Sequence, residues 1–326
     1  MSAGPTTYVE AIRQGIWEEM ERDDSVFVIG EDVGAYGGAF KVTAGLLGRF
    51  GERRVIDAPL SEAAIVAAGT GAAIAGLRPV VEMQFADFIS CAYDQIVNFA
   101  AKSRYRWGAG VPMVIRGPSG GGIHGGPFHS QNPEMPFVHT PGLKVVAPAT
   151  AYDAKGLIKA AIRDNDPVLF FEHKALYRKV KEDLPAGDYV VPLGKAAIRR
   201  AGQDISVITY GAMVHVALEA AATLAGEGID LEIVDLRTLA PLDEAAVLET
   251  VRKTGKVILL HEDTMTGGLA GELAARISEK AFDYLDGPIV RITAPDCPVP
   301  YSPPLEEAFL PKPADVVAKA RQLYRY

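Results

Sequence analysis

The sequence predicts an α/β chain of two domains, each a mostly parallel sheet flanked by helices. Three observations carry this. Short apolar runs such as 26–29 and 168–172 are continuous rather than alternating, the pattern of strands buried on both faces of a parallel sheet. Segments of helical period separate these runs, and such alternation builds parallel sheets with helices on both faces. Between 179 and 202 the chain turns polar and is punctuated by Pro185, Gly187, Pro192 and Gly194. That stretch is the best boundary, dividing the chain into 1–185 and 186–326. A length of 326 residues is natural for two domains.

Taken in order, 7–22 reads as an amphipathic helix, with Val9, Ile12, Ile16 and Met20 at helical spacing. The run 26–29 is a strand ending at Gly30, followed by Glu31-Asp32 where open α/β sheets place ligands. A strand at 54–56, a helix from Ser61, a strand at 79–82 and a helix over 88–105 come next. Strands at 112–116, 143–147 and 168–172 and a helix at 151–163 complete the first half. In the second half, 205–210, 231–234, 257–261 and 289–292 read as strands. Helices are expected at 214–225, 243–252, 269–282 and 313–324, and 296–304 as a Pro-rich surface segment.

Hydrophobic residues make up 48% and charged residues 23%, the balance of a folded chain. A net charge of −8 argues against nucleic-acid binding or an anionic-membrane role. Cys91 and Cys297 form no CxxC, so neither a disulfide framework nor a cysteine zinc site is indicated. The N-terminus lacks a basic start and an apolar core, and the apolar run 63–77 is shorter than the roughly 20 residues of a membrane span. The expected location is the cytoplasm.

Two stretches stand out. After Pro59, which stops the preceding strand, Ser61 is placed to cap a helix whose residues 63–77 are apolar or small apart from Thr70. A helix apolar on all sides is expected to be buried on all sides. Glu62 is its one ionisable group. It is not a capping-box partner, since Ala64 stands three residues after Ser61. Glu62 therefore either complements the helix dipole or, with its pKa raised by burial, serves acid–base chemistry near neutral pH. The second stretch is the long glycine loop Gly120-Gly121-Gly122-Ile123-His124-Gly125-Gly126-Pro127, closed by His129-Ser130-Gln131. Loops this long are usually functional. Gly120, Gly122 and Gly125 formally spell a dinucleotide fingerprint, but Pro127 and Pro133 occupy the place of its helix, and no GxxxxGK[ST] occurs. A nicotinamide dehydrogenase thus lacks a usable fingerprint. The six histidines form no HExxH or HxxxH pair, so no zinc site is indicated.

In this order and spacing, Gly30-Glu31-Asp32-Val33-Gly34, Pro59-Leu60-Ser61-Glu62, Ala75-Gly76-Leu77-Arg78-Pro79, His129-Ser130-Gln131, Pro141-Gly142-Leu143-Lys144-Val145-Val146, Asp153-Ala154-Lys155-Gly156-Leu157 and Asp235-Leu236-Arg237-Thr238 are specific. Over nearly its whole length the chain resembles the β subunits of thiamine-diphosphate-dependent 2-oxo acid dehydrogenases. These are the decarboxylating components of the pyruvate, branched-chain 2-oxo acid and acetoin complexes. The resemblance implies a transketolase-like pyrimidine-binding domain followed by a transketolase C-terminal-like domain that serves subunit and acyltransferase-core contacts.

The resemblance also implies roles. Glu62 would hydrogen-bond the pyrimidine ring of thiamine diphosphate and exchange a proton with it. Glu31, Leu60 and Gln84 would line that pocket and Phe88 would stack on the ring. His129 would act near the reacting carbon, in transfer of the acyl group to a lipoyl arm. Met113, Ala161, Ile162, Asp164 and Asp166 match a structural potassium site. The chain contains neither the Gly-Asp-Gly nor the Asn-Asn with which this superfamily holds the diphosphate and Mg²⁺. Those contacts are expected from an α subunit, in an α2β2 heterotetramer that serves a lipoyl-bearing acyltransferase core. The substrate, a 2-oxo acid or acetoin, is left open. A non-catalytic scaffold subunit is the other reading; it leaves the lone acid of the 61–77 helix and the glycine loop without a reason.

Overall fold

The structure is a computed structural model that describes residues 4–326. Residues 1–3, part of the N-terminus read as lacking a targeting signal, lie outside the described residues. Among the described residues, no helix is long and apolar enough to cross a membrane.

The chain forms two compact units. The first comprises residues up to Ser119 together with Pro136–Leu193, and the second Gly120–Met135 together with Gly194–Tyr326. The expected boundary is at residue 185; the last of the three crossings lies between Leu193 and Gly194. That the glycine loop leaves the first unit is not expected from the residues. Its backbone partners, described below, lie in the second.

In the first unit the chain runs α1 (Tyr8–Arg22), β1 (Val26–Gly30), β2 (Val55–Asp57), α2 (Glu62–Ile74), β3 (Arg78–Glu82), β4 (Val114–Ser119), β5 (Lys144–Val146), α3 (Ala151–Arg163) and β6 (Val168–His173). The strands lie in the order β5-β6-β4-β3-β1-β2, and every pairing is parallel. Strand β1 is flanked by β2 on one side and β3 on the other. The order reverses there, and open α/β sheets bind ligands at the carboxyl ends of such strands.

Helix α1 starts where the sequence predicts. Thr7 and Glu10 form a reciprocal capping box, with the Glu10 N–H donating to Thr7 Oγ1 at 3.3 Å and the Thr7 N–H to Glu10 Oε2 at 2.9 Å. Its buried face packs on α3, where Glu18 takes Lys155 and Lys159 at 2.6 and 2.5 Å and Glu19 takes Arg163 at 2.6 Å. The helix expected over 88–105 is broken into a 3-10 segment Ala86–Ala92, a π segment Gln95–Ala100 and a short α-helix Ser103–Trp107. No Pro or Gly lies between 88 and 105, so the interruption has no local cause. It arises from packing, with Ala92, Ile96 and Ala100 all buried.

In the second unit β7 (Ala197–Arg200), β8 (Ile205–Thr209), α4 (Met213–Ala225), β9 (Leu231–Asp235), α5 (Glu244–Thr254), β10 (Val257–Thr264), α6 (Leu269–Ala281), β11 (Val290–Ala294), α7 (Pro303–Phe309) and α8 (Pro313–Leu323) follow. The sheet order is β11-β10-β8-β9-β7, parallel except for β7. Strand β7 lies in the stretch that reads as a linker. It is a short antiparallel edge whose Arg199 and Arg200 pair with Asp235 and Asp230 at 2.8 and 2.7 Å, and charged edges discourage further pairing. Helix α7 begins inside the expected Pro-rich surface segment; Pro303 and Pro304 occupy the first helical turn, where a missing N–H costs nothing.

Gly15 of α1 meets α3 so closely that a methyl group there would run into Ile158 Cγ2 and lie 3.2 Å from the Lys155 carbonyl. Gly15→Ala should therefore destabilise the fold by about 1–3 kcal/mol, although it favours the helix locally. The urea midpoint of the purified chain measures this; a gain in stability would contradict the close approach.

Candidate functional site

The carboxyl ends of β1, β2 and β3 are level, with Gly30 in register with Asp57 on one side and Glu82 on the other. Each strand hands the chain to a segment that carries expected site residues. After β1 come Glu31 and Asp32, the latter in the left-handed region at φ 56°. The turn then folds onto β2, where the Gly34 N–H donates to Asp57 Oδ1 at 2.6 Å. A Cβ at Gly34 would lie 2.5 Å from Asp57 Oδ2, so this turn needs glycine. After β2 the Ala58 N–H donates to the Gly30 carbonyl at 2.9 Å, and Leu60 follows, 79% exposed. After β3, Gln84 donates from Nε2 to Asp32 Oδ2 at 3.1 Å. Phe88 sits in the next turn, edge-on to Phe85 at 6.0 Å between centroids.

Glu31 is 5% exposed and accepts the backbone N–H of Ser61, while its Oε1 has no protein partner among the described residues. Burial raises its pKa, the neighbouring Glu62 carboxylate raises it further, and the Ser61 N–H opposes both. Glu31 and Glu62 are thus electrostatic neighbours. Two carboxylates that share a site retain a proton more readily than either would alone. A buried carboxyl oxygen without a protein partner fits a polar ring placed over this edge.

Two expectations about this helix need correction. Ser61 stands at the N-cap of α2, but its hydroxyl donates to the Pro59 carbonyl at 2.9 Å instead of capping the helix. Nor is α2 buried all round. Ile65, Val66, Gly69, Thr70 and Ala73 are buried, whereas Ala63, Ala64, Ala68, Gly71 and Ile74 are exposed. Glu62 is half-buried. Complete burial of the helix is not met in the single chain.

Sequence reasoning missed what lies at the ends of the central strands. Arg116 is 0% exposed and stands between two carboxylates. It donates to Glu172 Oε1 and Oε2 at 2.7 and 2.6 Å and pairs with Glu82, its register partner across β3–β4. The Tyr177 hydroxyl donates to Glu172 Oε2 at 2.7 Å. Two buried carboxylates share one guanidinium, so one of them keeps a proton cheaply: burial, with Glu172 adding, pushes the Glu82 carboxyl up to about 7 against the pull of Arg116. A signal was available, because each of the apolar runs 79–82, 112–116 and 168–172 ends in an ionisable residue.

His129 lies in the second unit, on the loop 120–135. It is half-buried, and its N–H donates to the Gly126 carbonyl at 3.3 Å. Carboxylates of the second unit hold the glycine stretch before it. Glu262 Oε1 accepts the Gly121 N–H at 2.6 Å and Asn132 Nδ2 at 2.9 Å. Glu306 accepts the N–H groups of Gly122 and His124 at 3.0 and 3.1 Å. Beyond His129, buried Glu134 accepts the Tyr210 hydroxyl at 2.7 Å, and burial with nearby Asp263 pushes its carboxyl up to about 8. The structure thus brings Glu31, Leu60, Glu62, Gln84 and Phe88 to one sheet edge of the first unit, and carries His129 in the second.

The residues matched to potassium are otherwise engaged. The Arg78 guanidinium donates to the Ile162 and Asp164 carbonyls at 2.9 and 2.8 Å. Lys144 holds the Asp164 carboxylate at 2.6 Å, and Arg104 holds Asp166 at 2.5 Å. The Met113 carbonyl accepts the Val168 N–H and the Ala161 carbonyl the Asp164 N–H, at 2.9 and 3.2 Å. Protein cations thus stand beside several of these oxygens.

Comparison with known proteins matches two families in chain order, the first of them running through the loop 120–135. Residues 5–180 match the transketolase pyrimidine binding domain, and residues 194–316 the transketolase C-terminal domain. The chain is 54% identical over 325 residues to the 2-oxoisovalerate dehydrogenase subunit beta of Bacillus subtilis, covering 98% of this chain and 99% of that one. It is 48% identical to the beta subunit of an acetoin:2,6-dichlorophenolindophenol oxidoreductase of Cupriavidus necator, covering 96% and 95%. It is 43% identical to the pyruvate dehydrogenase E1 component subunit beta of Bacillus subtilis, covering 98% and 99%. In fold it is similar to a solved split-gene transketolase, described as an inactive β4 tetramer, with a TM-score of 0.80 at 23% identity over 99% of both chains.

The shared proton at Glu82 has a measurable consequence. The folded carboxyl titrates at about 7 and the unfolded one near 4.5, so between those values the folded chain binds more protons. Stability from this group is therefore fully present below pH 4.5 and falls as pH rises toward 7, by at most about 1.4 kcal/mol per unit. Glu82→Gln should flatten that part of a urea-midpoint profile. An unchanged slope would mean that the proton resides elsewhere.

Proposed function

The chain belongs to the β subunits of the first, decarboxylating component of 2-oxo acid dehydrogenases, and from that premise we propose that it completes a thiamine-diphosphate site only with an α subunit, for oxidative decarboxylation of a branched-chain 2-oxo acid. The observation that carries the reading is the pair Glu31 and Glu62 at the level ends of β1–β3, one carboxyl buried with an oxygen unpartnered by protein. In the proposed site, Glu62 holds a proton at the pyrimidine ring. Glu31, whose carboxyl is raised by burial and by the neighbouring Glu62 charge, would favour a proton there. Leu60 and Phe88 exclude water from the ring, and Gln84 is oriented by Asp32. When bound, the cofactor supplies the carbanion and the electron sink.

Dependence on a partner is supported from two sides. The diphosphate and Mg²⁺ motif is absent from the chain. Helix α2, apolar or small nearly throughout, leaves Ala63, Ala64, Ala68 and Gly71 uncovered. Small residues let another backbone approach closely, and an apolar helix exposed in one chain is explained by cover from another. An α2β2 assembly, in which the pairs are related by a two-fold axis, is the proposed closed form. His129 is proposed to serve acyl transfer to the lipoyl group of the acyltransferase, in the cytoplasm. The matched potassium site is proposed only as an addition to this reading, since Arg78, Lys144 and Arg104 already pair with Ile162, Asp164 and Asp166 there. The branched-chain substrate rests on the 54% identity to a 2-oxoisovalerate dehydrogenase subunit; acetoin is the second reading, favoured by 48% identity to an acetoin-oxidising relative.

Three measurements test this. The purified chain alone should show no decarboxylase turnover and no micromolar calorimetric binding of thiamine diphosphate with Mg²⁺. Either result with no partner present would refute the shared site. Reconstituted with an α subunit, the enzyme should prefer 3-methyl-2-oxobutanoate over pyruvate and acetoin in kcat/KM. Glu62→Gln should fold and assemble, yet slow deuterium exchange at the reactive thiazolium carbon by about a hundredfold or more; exchange at the wild-type rate would remove Glu62 from the proton path.

A further inference from the structure

Five of the seven residues 120–126 are glycine. Left to itself, such a segment samples many conformations and loses much entropy on being fixed. It takes no part in a sheet or long helix that would fix it; only Gly126–Phe128 forms a 3-10 turn. Apart from the Gly120 N–H bond to the Gln131 carbonyl at 2.9 Å, what holds it is side-chain carboxylate. Glu306, 1% exposed on α7, presents both oxygens to the loop. Oε1 accepts the Gly122 N–H at 3.0 Å and the His124 N–H at 3.3 Å; Oε2 accepts the His124 N–H at 3.1 Å and meets His124 Nδ1 at 2.6 Å. Beside it, a Cβ at Gly126 would collide with the ring of Tyr301, which backs the loop just before α7. The helix does not rely on these contacts for its own packing, since Phe309 sits in a small core with Ala294 and Val299. A buried carboxylate whose contacts go to one loop is placed to hold that loop rather than the core.

We propose that Glu306 is a positioning residue: by gathering the N–H groups of Gly122 and His124 it fixes the course of the glycine loop and so the place of His129, five residues on. The inference rests on the reading of His129 as the acyl-transfer residue. It makes the carboxylate of α7 part of that function without contact with any substrate.

The test uses the reconstituted enzyme with its α subunit and a lipoyl domain. In Glu306→Ala, amide hydrogen exchange of the peptide spanning 120–130 should quicken by about tenfold or more. The kcat for acyl transfer to the lipoyl domain should fall by about tenfold or more, with a smaller loss against an artificial electron acceptor. Glu306→Gln keeps an oxygen for the two backbone N–H groups and should restore transfer to within about threefold of the wild type. His124→Asn, at an exposed position and with a side chain that tolerates a positive φ, removes the Nδ1 contact and should quicken exchange in the same peptide even if Glu306→Ala fails to assemble. Unchanged exchange in these variants, equal loss in both activity assays, or no rescue by glutamine would each overturn the proposal. If His129→Ala itself spares transfer, the reading of His129 fails, and the exchange comparison still decides the role of Glu306.

Discussion

A guanidinium buried among strand ends sets the terms for the first unit. Arg116 lies at zero exposure with Glu172 and Glu82 on either side. Parallel strands in the middle of a sheet are apolar on both faces, and an ionised group there is tolerable only when paired and hydrogen-bonded. Removing one partner of such a cluster leaves a buried charge uncompensated, at a cost of about 3–5 kcal/mol. The Tyr177 hydroxyl satisfies a further lone pair of Glu172. Gly38, which could not carry a side chain without meeting Glu82 Oε1 at 2.8 Å, brings the turn after β1 down onto the same group. The cluster thus ties β3, β4 and β6 together beside the edge on which Glu31 and Glu62 stand.

That arrangement explains how a carboxyl can be held with a perturbed pKa on a loop. Glu31 follows a strand whose end is pinned on both sides, by the Gly34–Asp57 hydrogen bond and by the Ala58–Gly30 hydrogen bond. Its own oxygen is anchored by the Ser61 N–H. A rigid sheet edge makes the juxtaposition with Glu62 a property of backbone register rather than of flexible side chains. The second unit solves a related problem differently. Its glycine loop has no strand to pin it, and the acceptors come from Glu262 and Glu306, carried on β10 and α7. Hydrogen bonds to charged acceptors are about twice as strong as neutral ones, which suits a segment without packing side chains of its own.

Helix α2 carries a composition that a single chain does not fully bury. Its composition calls for burial on every side, and in the single chain only one side is buried. In the proposed assembly, a partner chain would supply the missing solvent exclusion. The same logic covers Leu60, a large apolar side chain left 79% exposed next to the carboxyl pair.

Periodicity by itself determined the α/β class and most elements, because continuous apolar strands and amphipathic helices leave clear patterns; the division into two came from length and from the punctuated stretch 179–202. The candidate pocket residues were named through the family resemblance, and in the structure Glu31, Leu60 and Gln84 follow the ends of β1, β2 and β3. Three things were decided only by tertiary structure. The break of the expected helix over 88–105 comes from packing, with no Pro or Gly to announce it. The assignment of the glycine loop to the second unit comes from hydrogen bonds spanning more than a hundred positions, from Gly121 to Glu262 and from Gly122 to Glu306. The Glu82–Arg116–Glu172 cluster comes from the strand order, which sets side by side residues that are remote in the chain. Local propensity acts over a few residues, whereas charge pairing and loop anchoring depend on which strands become neighbours, and that is settled only when the sheet forms.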